Sequence, residues 1–251
     1  SLRRPFMYPL IGPAGRSLTR MGHPHDQESH KHHYSFWVSH NDVNGVDFWS
    51  ESGGGTSVHK KILAFEDGEE GCYTLTENDW VDSLQNILLH ETRRISIYPR
   101  ADRQWLLVLD LDFSPDKGDV TFGDSSFGLV GVRMAKPIGV NDGGGLIRNS
   151  EGLIDEEAIF HQRAKWVDYS GRITNNAIEG IALFDHPKNP NFPSPFHVRN
   201  DGWMGACLSH QAPRLLKPGE TLHLRYGLFI HSQVAPVNEI GEQWQSFSEL
   251  P

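Results

Sequence analysis

The chain has 251 residues, 37% hydrophobic and 22% charged, with a formal net charge of −9. That length suits one large all-β domain or two small ones, and the composition suits a folded globular chain rather than a disordered one. A negative balance without a basic run argues against nucleic acid and anionic membranes as partners, and no apolar run approaches the ~18 residues of a membrane-spanning helix.

Residues 1–22 are turn-rich, with P-L-I-G-P-A-G-R at their centre. The start, S-L-R-R-P-F, lacks an initiator Met and a signal-peptide core. A processed mature form or a trimmed chain is expected.

The stretch from His23 to Trp49 holds six of the fourteen histidines, at 23, 25, 30, 32, 33 and 40. Asp26, Glu28, Asp42, Asp47, Asn41 and Asn44 are interleaved with Tyr34, Phe36, Trp37, Phe48 and Trp49. Six imidazoles this close repel one another when protonated, so some are expected to be neutral, metal-bound or paired with acids. Read as a strand, the segment puts His30 and His32 on one face and Lys31 and His33 on the other. An H-x-H pair can hold a divalent ion such as zinc or manganese, with His40 or an acid completing the set. A solvated histidine-rich loop is the plain alternative.

Strand-like runs follow at short intervals: Thr56–Phe65, Cys72–Trp80, Ile87–Tyr98, Trp105–Phe113, Asp119–Phe122, Leu129–Met134, Trp166–Tyr169, Ile178–Phe184, Phe196–Arg199, Met204–Leu208 and Thr221–Ile230. Turn clusters such as S-G-G-G at 52–55 and S-P-D-K-G at 114–118 separate them. Helical periodicity appears only at Val237–Phe247, with a single turn at Asp155–Ala158. No repeat or linker divides the chain, so residues 1–251 are expected to form a single all-β domain: a large antiparallel β-sandwich with one or two short helices.

Other segments carry candidate chemistry. The glycine-rich loop at 141–153 lacks the G-K-[ST] of a phosphate loop and signals no helix, and Glu151 is a candidate acid or a plain turn residue. In A-K-W-V-D-Y-S-G, Trp166 and Asp168 share a face, an apolar plane beside a hydroxyl acceptor as a sugar needs. A structural Trp is the alternative. The segment 183–199 contains Asp185, His186, four prolines, His197 and Arg199. His197 and Arg199 share a strand face, so a base and an anion clamp can sit side by side. Cys72 and Cys207 stand far apart in apolar contexts, where buried free thiols are expected and one long-range disulfide is the alternative.

Several blocks together resemble a bacterial family that carries the label methane oxygenase PmoA. They are S-H-K-H-H-Y-S-F-W-V-S-H-N-D-V-N-G-V-D-F-W, D-V-T-F-G-D, N-S-E-G-L, W-V-D-Y-S-G, F-D-H-P-K-N-P-N-F-P-S-P-F-H-V-R and L-K-P-G-E-T-L-H-L-R-Y. The resemblance implies a supersandwich like that of galactose mutarotase and a carbohydrate role in bacterial glycan breakdown. A periplasmic or secreted location is expected with it, the cytoplasm being the alternative. An oxygenase of the membrane type does not fit a chain without a transmembrane span. The motif positions carried over are His30, His32, His33, Asp42, Asn44, Asp124, Glu151, Trp166, Asp168, Asp185, His186, His197 and Arg199. The chain departs at Tyr34-Ser35, where Arg-Gly is expected, and at Ser126-Phe127, where Lys-Glu is expected.

The resulting expectation is an enzyme doing acid–base chemistry on a sugar or keto-sugar: mutarotation, elimination or hydrolysis. His32, His197, Asp42, Glu151 and Asp168 would be catalytic. Trp37, Asn44, Trp49, Trp166, Asp185, His186 and Arg199 would contact a small-molecule or oligosaccharide ligand. His30, His32 and His40 would hold the metal. A non-catalytic carbohydrate-binding sandwich and a structural β protein are the alternatives. The expected decisive observation is whether residues 30–42 and 185–199 meet in one cavity.

Overall fold

The computed structural model describes residues 2–23, 25, 26, 28 and 30–251, and it is built of antiparallel sheets. Pro24, Gln27 and Ser29 of the histidine stretch lie outside the described residues. In chain order the strands are β1 (Phe6–Met7), β2 (Phe36–Val38), β3 (Thr56–Glu66), β4 (Cys72–Val81), β5 (Ile87–Pro99), β6 (Trp105–Pro115), β7 (Val120–Phe122), β8 (Val130–Arg133), β9 (Leu146–Asn149), β10 (Trp166–Thr174), β11 (Ala177–Asp185), β12 (Phe196–Arg199), β13 (Trp203–Ala206), β14 (Arg214–Leu216) and β15 (Leu222–Ser232). The helices are α1 (Val140–Gly143), α2 (Asp155–Ile159) and α3 (Val237–Ser248), with 3-10 turns at Ala101–Arg103 and Lys136–Ile138.

Each strand expected between Thr56 and Ile230 is present. Those not expected, β1, β2, β9 and β14, have four residues or fewer, too short for period-two alternation to show. The glycine-rich loop, expected without a helix, contains the single turn of α1.

One sheet has eight strands in the order β3-β4-β5-β6-β15-β11-β10-β9, a second has five in the order β1-β2-β8-β13-β12, and β14 pairs with β7. The two large sheets enclose the main core. Leu107, Leu109, Leu111 and Phe113 of β6 and Leu224, Tyr226, Leu228 and Ile230 of β15 meet Phe36, Val38, Val130, Val132, Phe196, Val198 and Met204 of the smaller sheet. Each such side chain contributes roughly 1.5–3 kcal/mol on burial.

The run W-L-L-V-L-D in β6 is apolar on both faces because both are covered. Leu106 and Val108 point away from the main core, against Ile240, Trp244 and Phe247 of α3. These three sit on one stripe of the helix at i, i+4 and i+7. No helix among the described residues is long and apolar enough to cross a membrane. Both cysteines are free thiols; Cys207 is buried and Cys72 half-buried.

The smaller sheet matters most for the site. Its alternation sends Phe36, Val38, Val132, Val198 and Met204 into the core and Trp37, Arg133, His197, Arg199 and Trp203 to the opposite face. The strand register sets these in two rows. Trp37 lies opposite Gly131, Gly131 opposite Gly205, and Gly205 opposite His197. Arg133 lies opposite Trp203, and Trp203 opposite Arg199.

Candidate functional site

A cavity of about 720 Å³ lies over that outer face. His30, His32, His33 and Asn41 from the histidine stretch and His197 and Arg199 from β12 line it together. Residues 30–42 and 185–199 therefore meet in one cavity.

The floor is aromatic. Gly131 and Gly205 have no side chain, and the Trp203 ring lies across them; a Cβ on Gly131 would come within 2.3 Å of that ring. His33 stacks on Trp37 at 5.2 Å and on Trp203 at 5.2 Å. One wall is a stack of three rings, with Phe127 between Trp49 (5.3 Å, 18°) and His197 (5.5 Å, 23°). Flat apolar faces of this kind suit the C–H side of a pyranose.

The charged groups of the cavity are held in place. Arg133, fully buried, makes a two-point ion pair with Asp201, and His23 Nε2 lies 3.2 Å from the same carboxylate. Arg199 donates to Glu156 at 2.8 Å, and its guanidinium lies over the Phe160 ring at 4.3 Å. Glu156 also accepts the Asn200 N–H at 2.5 Å. Asp47 accepts the N–H groups of Trp49 (2.6 Å) and Ser50 (3.1 Å) and the Ser50 hydroxyl. Each of the three lining carboxylates is thus engaged. Arg4, buried behind the wall, donates to the carbonyls of His32 (3.0 Å) and Trp49 (2.5 Å), which fixes both residues over the cavity.

The buried imidazoles His32, His33 and His197 are the candidate bases. Burial, then the charges of Arg4 and His30, pushes His32 down to about 4. Burial also takes His197 down to about 4, against the upward pull of its bond to the Ser126 carbonyl. His33 lies well below 6.5 because it is buried and faces Arg133. These rings are therefore neutral near pH 7. His197 Nδ1 lies 2.8 Å from the Ser126 carbonyl oxygen. A carbonyl only accepts, so Nδ1 carries the proton and Nε2 keeps the lone pair.

Several expected site residues lie elsewhere. Residues 30–33 form a turn, not a strand: the His33 N–H donates to the His30 carbonyl at 3.2 Å. His40 is buried away from the cavity with Nε2 2.9 Å from Ser209, so His30, His32 and His40 do not converge. Among the described residues no three His, Cys, Asp or Glu side chains are placed to hold a metal. Asn44 and Gly45 have φ of 52° and 79° in a tight turn between Val43 and Val46. Asn-Gly is the favoured pair for such a type I′ turn. The Asn44 side chain bonds the backbone of Asp119 and Thr121 rather than a ligand. Asp42 caps that turn through the Gly45 N–H, and Asp124 accepts from Gln211.

Glu151 is exposed on the turn after β9 and accepts from its neighbour Ser150. Trp166 and Asp168 do share a face, as alternation requires, but that face is closed. Trp166 is buried under α3, and Asp168 is buried against Arg148 and His231. Asp185 is also internal, and burial raises it to about 6. It accepts from Asn189 and from the Ser194 N–H, stapling the proline-rich loop that leads into β12. His186 lines a separate cavity of about 410 Å³ on the larger sheet. Trp37 backs the floor rather than lining the cavity. His30, His32, His33, Trp49, His197 and Arg199 are the expected residues that the fold brings together.

Arg133, Glu156, Asp201 and Trp203 also line the cavity and were not among the expected site residues, and Phe127 stood out only as a departure from the motif. The glycine–aromatic alternation of G-W-M-G-A around Trp203 was the one local signal for a ring lying flat on a strand.

No curated protein matches the sequence. Among the solved structures that resemble the chain are three at 10% identity each. A protein from the human microbiome described as a kojibiose phosphorylase aligns over 89% of this chain and 30% of its own, with a TM-score of 0.42. A TPR-domain containing protein from Parabacteroides distasonis aligns over 92% and 44%, at 0.41. A galactose mutarotase related enzyme from Lactobacillus acidophilus aligns over 91% and 82%, at 0.36. The chain thus spans less than half the length of the first two. None of these matches supports the methane-oxygenase label suggested by the motifs. The family model that does match, over residues 1–245, is that of DUF6807, a family of unknown function, and the chain belongs to that family.

Proposed function

We propose that the cavity binds a sugar and moves a proton on it, with His197 as the base. One observation carries this reading: a neutral imidazole with an assigned Nε2 lone pair shares an aromatic-walled cavity with two guanidinium groups, while every carboxylate there is already engaged. Glycoside hydrolysis by a carboxylate pair needs one free acid and one free base or nucleophile. The engaged carboxylates favour imidazole chemistry instead, such as anomer interconversion or elimination. His197 takes a hydroxyl proton as general base, and the side-chain amides of Asn41 and Asn141, which line the same cavity, are the uncharged donors for the oxygen that results.

A second reading, sugar binding without turnover, is favoured by Phe127. The motif resemblance expects a Glu there, and an aromatic ring fills the wall instead. One experiment separates the two. Monosaccharides and oligosaccharides are titrated against intrinsic tryptophan fluorescence, and anomer exchange is followed by polarimetry for wild type and His197→Ala. Saturable quenching with exchange above buffer, lost in His197→Ala while binding persists, is expected. Binding without turnover on any sugar leaves the second reading, and absence of any sugar binding removes both.

A further inference from the structure

Resting on the carbohydrate reading, we infer that the cavity selects neutral sugars over anionic ones, and that Glu156 is a specificity-determining residue. A carboxylate or phosphate ligand is best held by an arginine whose fork is free to bind two oxygens. Neither lining arginine offers that. Both terminal nitrogens of Arg133 are taken by Asp201. Arg199 is partnered by Glu156 and rests on the Phe160 ring. The nearby Arg4 is spent on the His32 and Trp49 carbonyls.

The balance of fixed charge also opposes an anion. Asp47, Glu156 and Asp201 line the cavity against two guanidinium groups, so negative charge is in excess. Burial keeps His32, His33 and His197 neutral, which withholds the cations they would otherwise add. The whole chain carries −9 and slows the approach of anions. What the cavity does offer is apolar ring faces and uncharged polar groups: Ser50, Asn141 and Asn41, whose Oδ1 is buried without a partner among the described residues. Those groups match the hydroxyls and C–H faces of an uncharged pyranose.

Of the two paired arginines, Arg199 is the one that a single change frees. Glu156 touches it through one oxygen on a short helix, so Glu156→Gln keeps an acceptor for the Asn200 N–H while removing the charge. The test measures the affinities of methyl glucoside and methyl galactoside against glucuronate and galacturonate, by calorimetry and tryptophan fluorescence, on wild type and Glu156→Gln. Wild type is expected to bind the neutral sugar at least tenfold tighter than the matching uronate. Glu156→Gln is expected to shrink that ratio at least threefold by tightening the uronate. Equal or tighter uronate binding by wild type overturns the inference and leaves the carbohydrate reading standing. An unchanged ratio in Glu156→Gln removes the role of Glu156. Binding of neither kind of sugar overturns the carbohydrate reading itself.

Discussion

Arg133 and Asp201 face each other across the cavity wall, Nη1 to Oδ1 at 2.7 Å and Nη2 to Oδ2 at 3.1 Å, with the arginine fully buried. Burial pushes the Asp201 carboxyl up, but the bond and charge of Arg133 outweigh it and hold the group below its usual range. Removing Asp201 strands a buried guanidinium. Asp201→Ala is expected to cost about 3–5 kcal/mol, the range for a broken buried pair. Chemical denaturation measures it. Because the folded carboxyl is depressed, its stabilisation is present above the unfolded value of about 3.9 and is lost as pH falls through the folded one. A mutant within 1 kcal/mol of wild type shows that water compensates the arginine.

His197 makes a distinct kinetic expectation. Its conjugate acid lies at about 4, so the basic form is present throughout the neutral range. Turnover of any sugar substrate is expected to be flat from neutral pH down to mildly acid conditions and to fall as pH drops through that value. His197→Gln is expected to lower kcat by about 10²–10⁴-fold, the usual span for losing a positioned base. Sugar affinity should change much less. A pH–rate profile that breaks near 7 points to a different base.

The larger sheet holds a second buried pair, His231 Nε2 to Asp168 Oδ1 at 2.9 Å, both fully buried and braced by Arg148. Burial lowers His231, yet the Asp168 charge and hydrogen bond win and its pKa is raised. For Asp168 burial raises, while His231 and Arg148 pull the group below its usual range. The pair therefore stabilises below the unfolded histidine value of about 6.5, and its contribution disappears as pH rises through the folded histidine value. Thermal unfolding between pH 6 and pH 9 is expected to show a falling Tm in wild type and a flatter curve in His231→Asn. Parallel curves would count against the pair being charged.

Gly131 is expected to tolerate no side chain. Its absent Cβ leaves room for the Trp203 ring at 2.3 Å and the Trp37 ring at 3.1 Å. Gly131→Ala must lift Trp203 off the floor, at a cost of about 1–3 kcal/mol for overpacking. Loss of Trp fluorescence response to sugars should accompany the lower stability. A variant that binds sugar normally shows that the floor adjusts without consequence.

The fold was legible where the chain repeats a pattern over enough residues. W-L-L-V-L-D-L-D-F, R-R-I-S-I-Y and L-H-L-R-Y-G-L-F-I alternate or stay apolar for long enough to name β6, the end of β5 and β15. The amphipathic stripe of α3 was equally plain, with Ile240, Trp244 and Phe247 four and three residues apart. The three-residue β2 gave no such signal.

The site was legible in part. Alternation put His197 and Arg199 on one face, and the crowding of imidazoles called for some to be neutral, metal-bound or paired with acids; His32 and His33 are neutral, chiefly through burial. Trp166 with Asp168 obeyed the same alternation, yet α3 covers one and a buried ion pair encloses the other. Asn44 looked like a polar contact and serves as the positive-φ residue of a turn. Where a segment is a strand, the amino-acid order by itself determined which residues share a face, because that follows from backbone geometry alone. Only the tertiary structure decided which faces stay open and which charges find partners. Arg133 and Asp201 are 68 residues apart, and Arg199 and Glu156 are 43. Contacts at such separations depend on how sheets stack, and local periodicity carries no record of that.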